Sequence, residues 1–247
     1  MQAVVLNKKD FREFDQLTTL YTKDQGKIEL LSRGIKKIVS KQAAYLLPFS
    51  LVEIEVVSGQ EIDHLIRTQS VELFKHIRQG LKKSLMADYV VKLVDQVTSV
   101  GEKDERVFNL LVAWLQFIDQ TESFNDSLLL SFCSKLLKYL GFEPIIDQCV
   151  IGGEKVDELP PQQPLYFSPS AGGVLCGICK ARTQKQEITI PVTVSDLQEF
   201  SFLYSQGWSE VIQIKVSQTV KDVLYQFMRY QTERKISNWF EFDKTLA

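Results

Sequence analysis

Leu51-Val52-Glu53-Ile54-Glu55-Val56-Val57 alternates, with Val52, Ile54 and Val56 on one side and Glu53 and Glu55 on the other. A period of two sets one face against a core and the other in water, the pattern of a half-buried strand. The two glutamates therefore read as a solvated strand face and not as a pair of catalytic carboxylates. Working backwards, Ala3-Val4-Val5-Leu6, Leu17 to Thr22 and Lys27-Ile28-Glu29-Leu30-Leu31 are further short apolar runs, the last two joined by a turn at Asp24-Gln25-Gly26. Working forwards, Ser58-Gly59-Gln60 turns the chain into Ile62 to Thr68.

Five strands with no helix-length segment among them predict a small barrel, and the OB type is the natural five-stranded choice. From about residue 79 the period becomes helical. Met86, Val90, Leu93, Val94 and Val97 form one stripe, and Val107, Leu110, Leu111, Trp114, Leu115 and Ile118 a second. Leu129, Phe132, Cys133, Leu136, Leu137 and Leu140 form a third, with Asn125 as its cap and Gly141 and Pro144 as its stop. Residues 145–183, rich in Gly and Pro, read as a loop that something must hold in place. Helices resume with a capping box at Ser195-Asp196-Leu197-Gln198 and a last helix from about Ser217 to Arg234. The predicted class is α+β: an OB-fold barrel at 1–78, then a helical domain at 79–247 into which residues 145–183 are inserted.

The 247 residues carry a formal net charge of −2, which names no polyanion partner. The distribution is more informative. Nine bases against five acids between Lys8 and Lys41 leave +4 there, and Arg33, Lys36, Lys37 and Lys41 lie in an acid-free run between Ser32 and Phe49. Phe11, Phe14, Tyr21, Tyr45 and Phe49 are interleaved with these bases. An OB barrel binds single strands by stacking bases on aromatic rings and running phosphates along cations, so this segment is the candidate nucleic-acid site. No apolar run approaches the ~20 residues of a membrane span, and the first residues lack the pattern of a signal peptide. Four cysteines without such a signal suit free or metal-bound thiols in a reducing cytoplasm.

Catalytic signatures are scarce. There is no Walker-type phosphate loop and no dinucleotide fingerprint. The two histidines, His64 and His76, lack a cysteine or serine at a recognisable spacing and read as structural or exposed. No catalytic residue is assigned. Cys133 lies on an apolar stripe and reads as core. The other three cysteines, Cys149, Cys176 and Cys179, have the layout of a zinc knuckle with one ligand missing. Cys176-Gly177-Ile178-Cys179 supplies two thiols at the right spacing, but Gly152 stands where a thiol three residues after Cys149 is needed. A carboxylate such as Asp147 or Asp157 could complete a tetrahedron. The incomplete set predicts well under one zinc per chain.

The chain resembles the RecO family of bacterial recombination mediators over essentially its whole length. The residues that carry this are Ala3-Val4-Val5-Leu6, Glu13-x-Asp15-x-Leu17, Thr22-Lys23-x-x-Gly26-Lys27, Gly34 with Lys36, Ser40-Lys41 and Pro48-Phe49. Leu137 to Gly141 with Cys149 follow, then Tyr166-Phe167-Ser168-Pro169 and Gly172-Gly173-Val174-Leu175-Cys176-x-x-Cys179. The resemblance implies an N-terminal OB fold, a helical domain and a zinc-finger-like insertion, here degenerate because Gly152 departs from the pattern. It also implies binding of single- and double-stranded DNA and annealing of strands coated with single-strand-binding protein, whose C-terminal tail is a partner. With RecR, it implies help in loading RecA. The expected DNA contacts are Lys23, Lys27, Arg33, Lys36, Lys37 and Lys41. No cofactor is expected beyond sparse zinc at Cys149, Cys176 and Cys179. Two readings from other classes stand beside this: a thiol-redox or zinc-dependent enzyme using Cys176 and Cys179, and a protein-only adaptor whose barrel no longer binds DNA.

Overall fold

The computed structural model describes residues 1–37, 40, 42–183, 187–232 and 236. It divides into two compact units, Met1–Ser123 and Phe124–Ala247. The first opens with β1 (Gln2–Asp10), β2 (Gln16–Thr22), β3 (Gly26–Ser32), β4 (Leu51–Val57) and β5 (Asp63–Glu72). They close a barrel in the order β1-β2-β3-β5-β4, antiparallel throughout except for the parallel pair β3–β5. This is the predicted OB-type architecture. The alternation at 51–57 is realised: Val52 and Ile54 are buried and Glu53 and Glu55 are exposed. Ala3, Val5, Leu20, Leu30, Val52, Ile54 and Leu65 meet inside the barrel.

Three helices complete this unit: α1 (Lys75–Gln79), α2 (Leu81–Val97) and α3 (Glu105–Gln120). The α2 helix packs on β1, and α1 packs on both α2 and α3. Secondary structure changes type near residue 78, but compactness divides the chain after Ser123, because these helices cover the barrel. Polar anchors hold them there. The buried Asp119 carboxylate accepts from the Ile77 amide at 2.8 Å and lies 3.2 Å from His76 Nδ1, so His76 is structural. Arg78 donates to the carbonyls of Leu73 and Pro48 and to Ser50 Oγ, and its guanidinium lies 4.1 Å from the centroid of the Phe49 ring. Phe49 is buried at a φ of 56°, and Tyr21 is fully buried, its hydroxyl donating to the Asp104 carbonyl. Burial pushes the Tyr21 phenol up to about 12. Both rings belong to the scaffold.

The second unit begins with α4 (Asp126–Tyr139), capped as expected by Asn125, whose side chain accepts from the Ser127 amide. Two strands lie within the segment read as a loop, β6 (Leu165–Ser168) and β7 (Gly173–Cys176), and a third, β8 (Ile190–Val192), follows it, in the order β7-β6-β8. The short α5 (Gly177–Arg182) follows β7 directly. The strands escape a pattern search because β6 and β7 are only four residues long and β7 is buried on both faces, so nothing alternates. The remaining helices are α6 (Val194–Ser205), α7 (Trp208–Val211) and α8 (Gln218–Thr232). The expected end of the last helix, at Arg234, lies outside the described residues. Small side chains on α4 allow close approach: Ser127 Oγ donates to the Val211 carbonyl and Ser131 Oγ to that of Leu203, each at 2.7 Å. Phe167 of β6 meets Phe227 of α8 edge-on, with centroids 5.5 Å apart.

The capping box of α6 sits two residues earlier than expected. Thr193 Oγ1 accepts from the Asp196 amide, and the Asp196 carboxylate accepts in return from the Thr193 amide. Ser195 falls inside the helix, because Thr193 and Asp196 form the reciprocal pair and the helix has already begun at Val194. Replacing Thr193 by alanine should destabilise this unit by about 1 kcal/mol, read as a lower urea midpoint. An equal loss on replacing Ser195 would contradict the assignment.

Candidate nucleic-acid interface and thiol cluster

The β1–β2 turn at residues 11–15 and the segment 33–37 lie together at one end of the barrel. The Asp10–Gln16 and Gln16–Ser32 pairings bring both chain reversals to the same side. Hydrogen bonds join them: the Lys36 amide donates to the Phe14 carbonyl at 3.1 Å, and the Gly34 amide to Asp15 Oδ1 at 2.8 Å. Gly34 has a φ of 65°, so the turn at 33–37 uses the left-handed freedom of glycine. Asp10 ties the cluster. It lies 2.8 Å from Lys36 Nζ and accepts from Gln16, and these bonds hold its carboxyl below the usual range. Asp63 opens β5 opposite Leu30. The Arg33 guanidinium lies 3.5 Å from His64 Nε2.

Two aromatic rings stand out here. Phe11 is 48% exposed and Phe14 is 45% exposed. Each has a cation nearby: the Arg12 guanidinium is 5.1 Å from the Phe11 centroid, and Lys37 Nζ is 6.0 Å from that of Phe14. Exposed rings with adjacent cations, on the turn between the first two barrel strands, can stack a base and meet its phosphate. Of the five interleaved aromatics, the structure separates these two from Tyr21 and Phe49, which are buried, and from Tyr45, which packs against the barrel core.

The six expected cations are not one cluster. Arg33, Lys36 and Lys37 are exposed at this end. Lys41 lies outside the described residues. Lys23 and Lys27 sit by the β2–β3 turn, at the far end of the hairpin, about 20 Å away along strands of seven residues. Lys23 is half-buried and 3.2 Å from Glu105. Lys27 is buried, a correction to its reading as a phosphate contact. Its ammonium lies 3.0 Å from Asp95 Oδ1 and donates to the carbonyls of Asp95 and Thr98. A cation already surrounded by acceptors inside the fold has no donor left to offer a strand.

The second site is in the second unit. Cys149, Cys176 and Cys179 are all buried, and they converge with Glu154 so that their ligand atoms all lie within 4.8 Å of one another. Neither Asp147 nor Asp157 belongs to this group. Both halves of a knuckle are formed. The Gly152 amide approaches Cys149 Sγ at 3.4 Å, and the Cys179 amide approaches Cys176 Sγ at 3.5 Å, each three residues beyond its sulfur. The Cys176 amide also reaches Cys149 Sγ. Burial works to raise the Cys149 thiol, but the backbone donors outweigh it and hold the thiol below its ordinary value. Cys179 is pushed up to about 12 by burial, reinforced by Cys176 and Cys149. Amide donors aimed at sulfur, with a carboxylate closing the group, fit a tetrahedral zinc. Glu154 was not legible from spacing, because it follows Gly152 by two residues and no knuckle pattern counts it. Cys133 is elsewhere, buried as expected, its thiol raised to about 12 by burial.

Comparison with known proteins gives the family. The model described as "Recombination protein O N terminal" matches residues 1–74, and "Recombination protein O C terminal" matches residues 78–241. A relative from Pelotomaculum thermopropionicum, named "DNA repair protein RecO", is 26% identical over 98% of this chain and 92% of its own length. One of the same name from Alkaliphilus metalliredigens is 26% identical over 99% of this chain and 98% of its own. Another from Symbiobacterium thermophilum is 31% identical over 72% of this chain and 70% of its own. With a closed five-stranded barrel followed by helices and a knuckle-like insertion, and with both family models matched in order, the chain belongs to the RecO family.

Proposed function

We propose that this chain is a DNA-binding recombination mediator of recombinational DNA repair, working without catalysis. The observation that carries this is the pair of exposed rings, Phe11 and Phe14, each beside a cation at the rim of an OB-type barrel. Stacking holds single-stranded bases, and Arg33, Lys36 and Lys37 neutralise phosphates and release their counterions. Neutralisation also lowers the repulsion between two complementary strands, so binding energy alone drives annealing. On strands covered by single-strand-binding protein, a contact to that protein's acidic tail adds to this. RecR and, through it, RecA loading complete the proposed role, of which family membership and the relatives' name support the DNA repair part.

The test is salt dependence. Replacing Arg33, Lys36 and Lys37 together by alanine removes three cations that face solvent, so the log–log slope of single-strand affinity against salt should fall by about 2. The same variant should lose annealing of bare and coated strands, with ATP making no difference to either protein. An unchanged slope in a folded triple variant would move the DNA site away from this end of the barrel. A redox enzyme at Cys176 and Cys179 is the less favoured reading, since both sulfurs are buried.

A further inference from the structure

We propose that Glu154 is the fourth ligand of a zinc site formed with Cys149, Cys176 and Cys179. Spacing alone led to the opposite expectation, because Gly152 brings no side chain. The structure explains how a glycine there serves the site. A Cβ on Gly152 would lie 1.9 Å from one Glu154 carboxylate oxygen and 2.8 Å from its Cδ. The carboxylate thus fills the volume that a side chain at residue 152 would enter. A thiol at 152 and the carboxylate of 154 are mutually exclusive occupants of one corner of the tetrahedron.

The backbone delivers it there. The Gly153 amide donates to the Cys149 carbonyl, and the Cys149 amide to the Glu154 carbonyl, both at 2.8 Å. Gly153 adopts a φ of 78°, the left-handed region that favours glycine, and the space where a Cβ would stand is open. Residues 149–154 therefore curl back so that residue 154 lies over the sulfurs. Four ligand atoms at 2.0–2.3 Å from one zinc sit about 3.5–3.8 Å apart at the edges of a tetrahedron. A group already within 4.8 Å needs only a small contraction to reach this. The three sulfurs are buried and Glu154 is exposed, so the carboxylate forms the solvent-facing corner. Three soft thiolates with one carboxylate favour zinc over magnesium or calcium, which prefer all-oxygen sites.

The test uses the full chain, reduced throughout, and reads metal and not DNA. Elemental analysis after exhaustive dialysis should find one zinc per chain. Competition with a chromogenic chelator should show Glu154→Ala binding zinc at least about 100-fold more weakly, since even outer-shell losses cost 10–100-fold. Cobalt(II) in the unaltered chain should give tetrahedral visible bands with thiolate charge transfer. That charge transfer should grow in the double variant Gly152→Cys with Glu154→Ala, which exchanges the carboxylate for a fourth thiolate and should regain tight binding. If Glu154→Ala does not fold, Glu154→Gln keeps the shape while weakening the ligand and should show the same loss. A chain that takes up no zinc overturns the proposal. So does zinc held equally tightly, with an unchanged cobalt spectrum, when Glu154 is replaced.

Discussion

Replacing Phe11 and Phe14 together by alanine should weaken single-stranded DNA binding by about 2–4 kcal/mol, or roughly 30- to 1000-fold, while leaving the fold intact. Each ring is about half exposed and contributes little to the core. Stacking one base on an aromatic ring is worth about 1–3 kcal/mol, and two rings on one turn can hold adjacent bases. The salt slope separates this effect from that of the cations. Loss of stacking lowers affinity at every salt concentration by a similar factor, whereas loss of phosphate contacts flattens the slope. Duplex DNA, whose bases are already stacked, should lose much less. Fluorescence anisotropy with single- and double-stranded probes over a range of salt distinguishes these outcomes. Equal losses on both probes would mean that the rings do not stack on bases.

Replacing Lys27 by methionine should cost the first unit about 3 kcal/mol and leave the DNA salt slope unchanged. Methionine keeps most of the stem's packing but removes the ammonium. The Asp95 carboxylate then loses its partner, and the carbonyls of Asp95 and Thr98 lose the donor that bridges them. Stranding a half-buried charge and two carbonyls is among the few ways one substitution reaches this size. Asp95 retains some exposure, which keeps the figure at the lower end for buried pairs. Hydrogen exchange across β2, β3 and α2 should report the loss locally, and urea unfolding its total. A stable variant whose salt slope falls by about 0.7 would return Lys27 to the phosphate contacts.

The two lysines at residues 27 and 36 show where sequence reading stops. Both stand among bases near strand-and-turn boundaries, and neither local pattern tells which ammonium is buried. What separates them is Asp95, 68 residues downstream, brought to Lys27 by the packing of α2 on the barrel. Pattern reading recovers what is periodic within one element: the alternation at 51–57, the helical stripes, and the cap at Asn125. It loses what depends on tertiary approach. The four-residue strands β6 and β7 have no period to detect. Glu154 reaches the thiols only through a glycine-rich turn, so its role follows from backbone shape and not from spacing. Phe11 and Phe14 were legible as aromatics among bases, but their separation from Tyr21 and Phe49 required knowing which way each ring faces.

The single parallel pairing in the barrel has a consequence for how the chain is made. β3 ends at Ser32, and its outer neighbour β5 runs from Asp63 to Glu72. At about 5–20 residues per second of synthesis, the roughly 40 residues from Ser32 to the end of β5 take about 2–8 s, and the β3 edge waits that long for its complete cover. During that interval the β1–β2–β3 meander is a nascent sheet with an open rim, the state in which strands of neighbouring chains add to one another. Glu29 is the charged, outward residue near the middle of β3. Its value is greatest on the ribosome, where an incoming foreign strand must desolvate a carboxylate before it can zip onto the unfinished barrel.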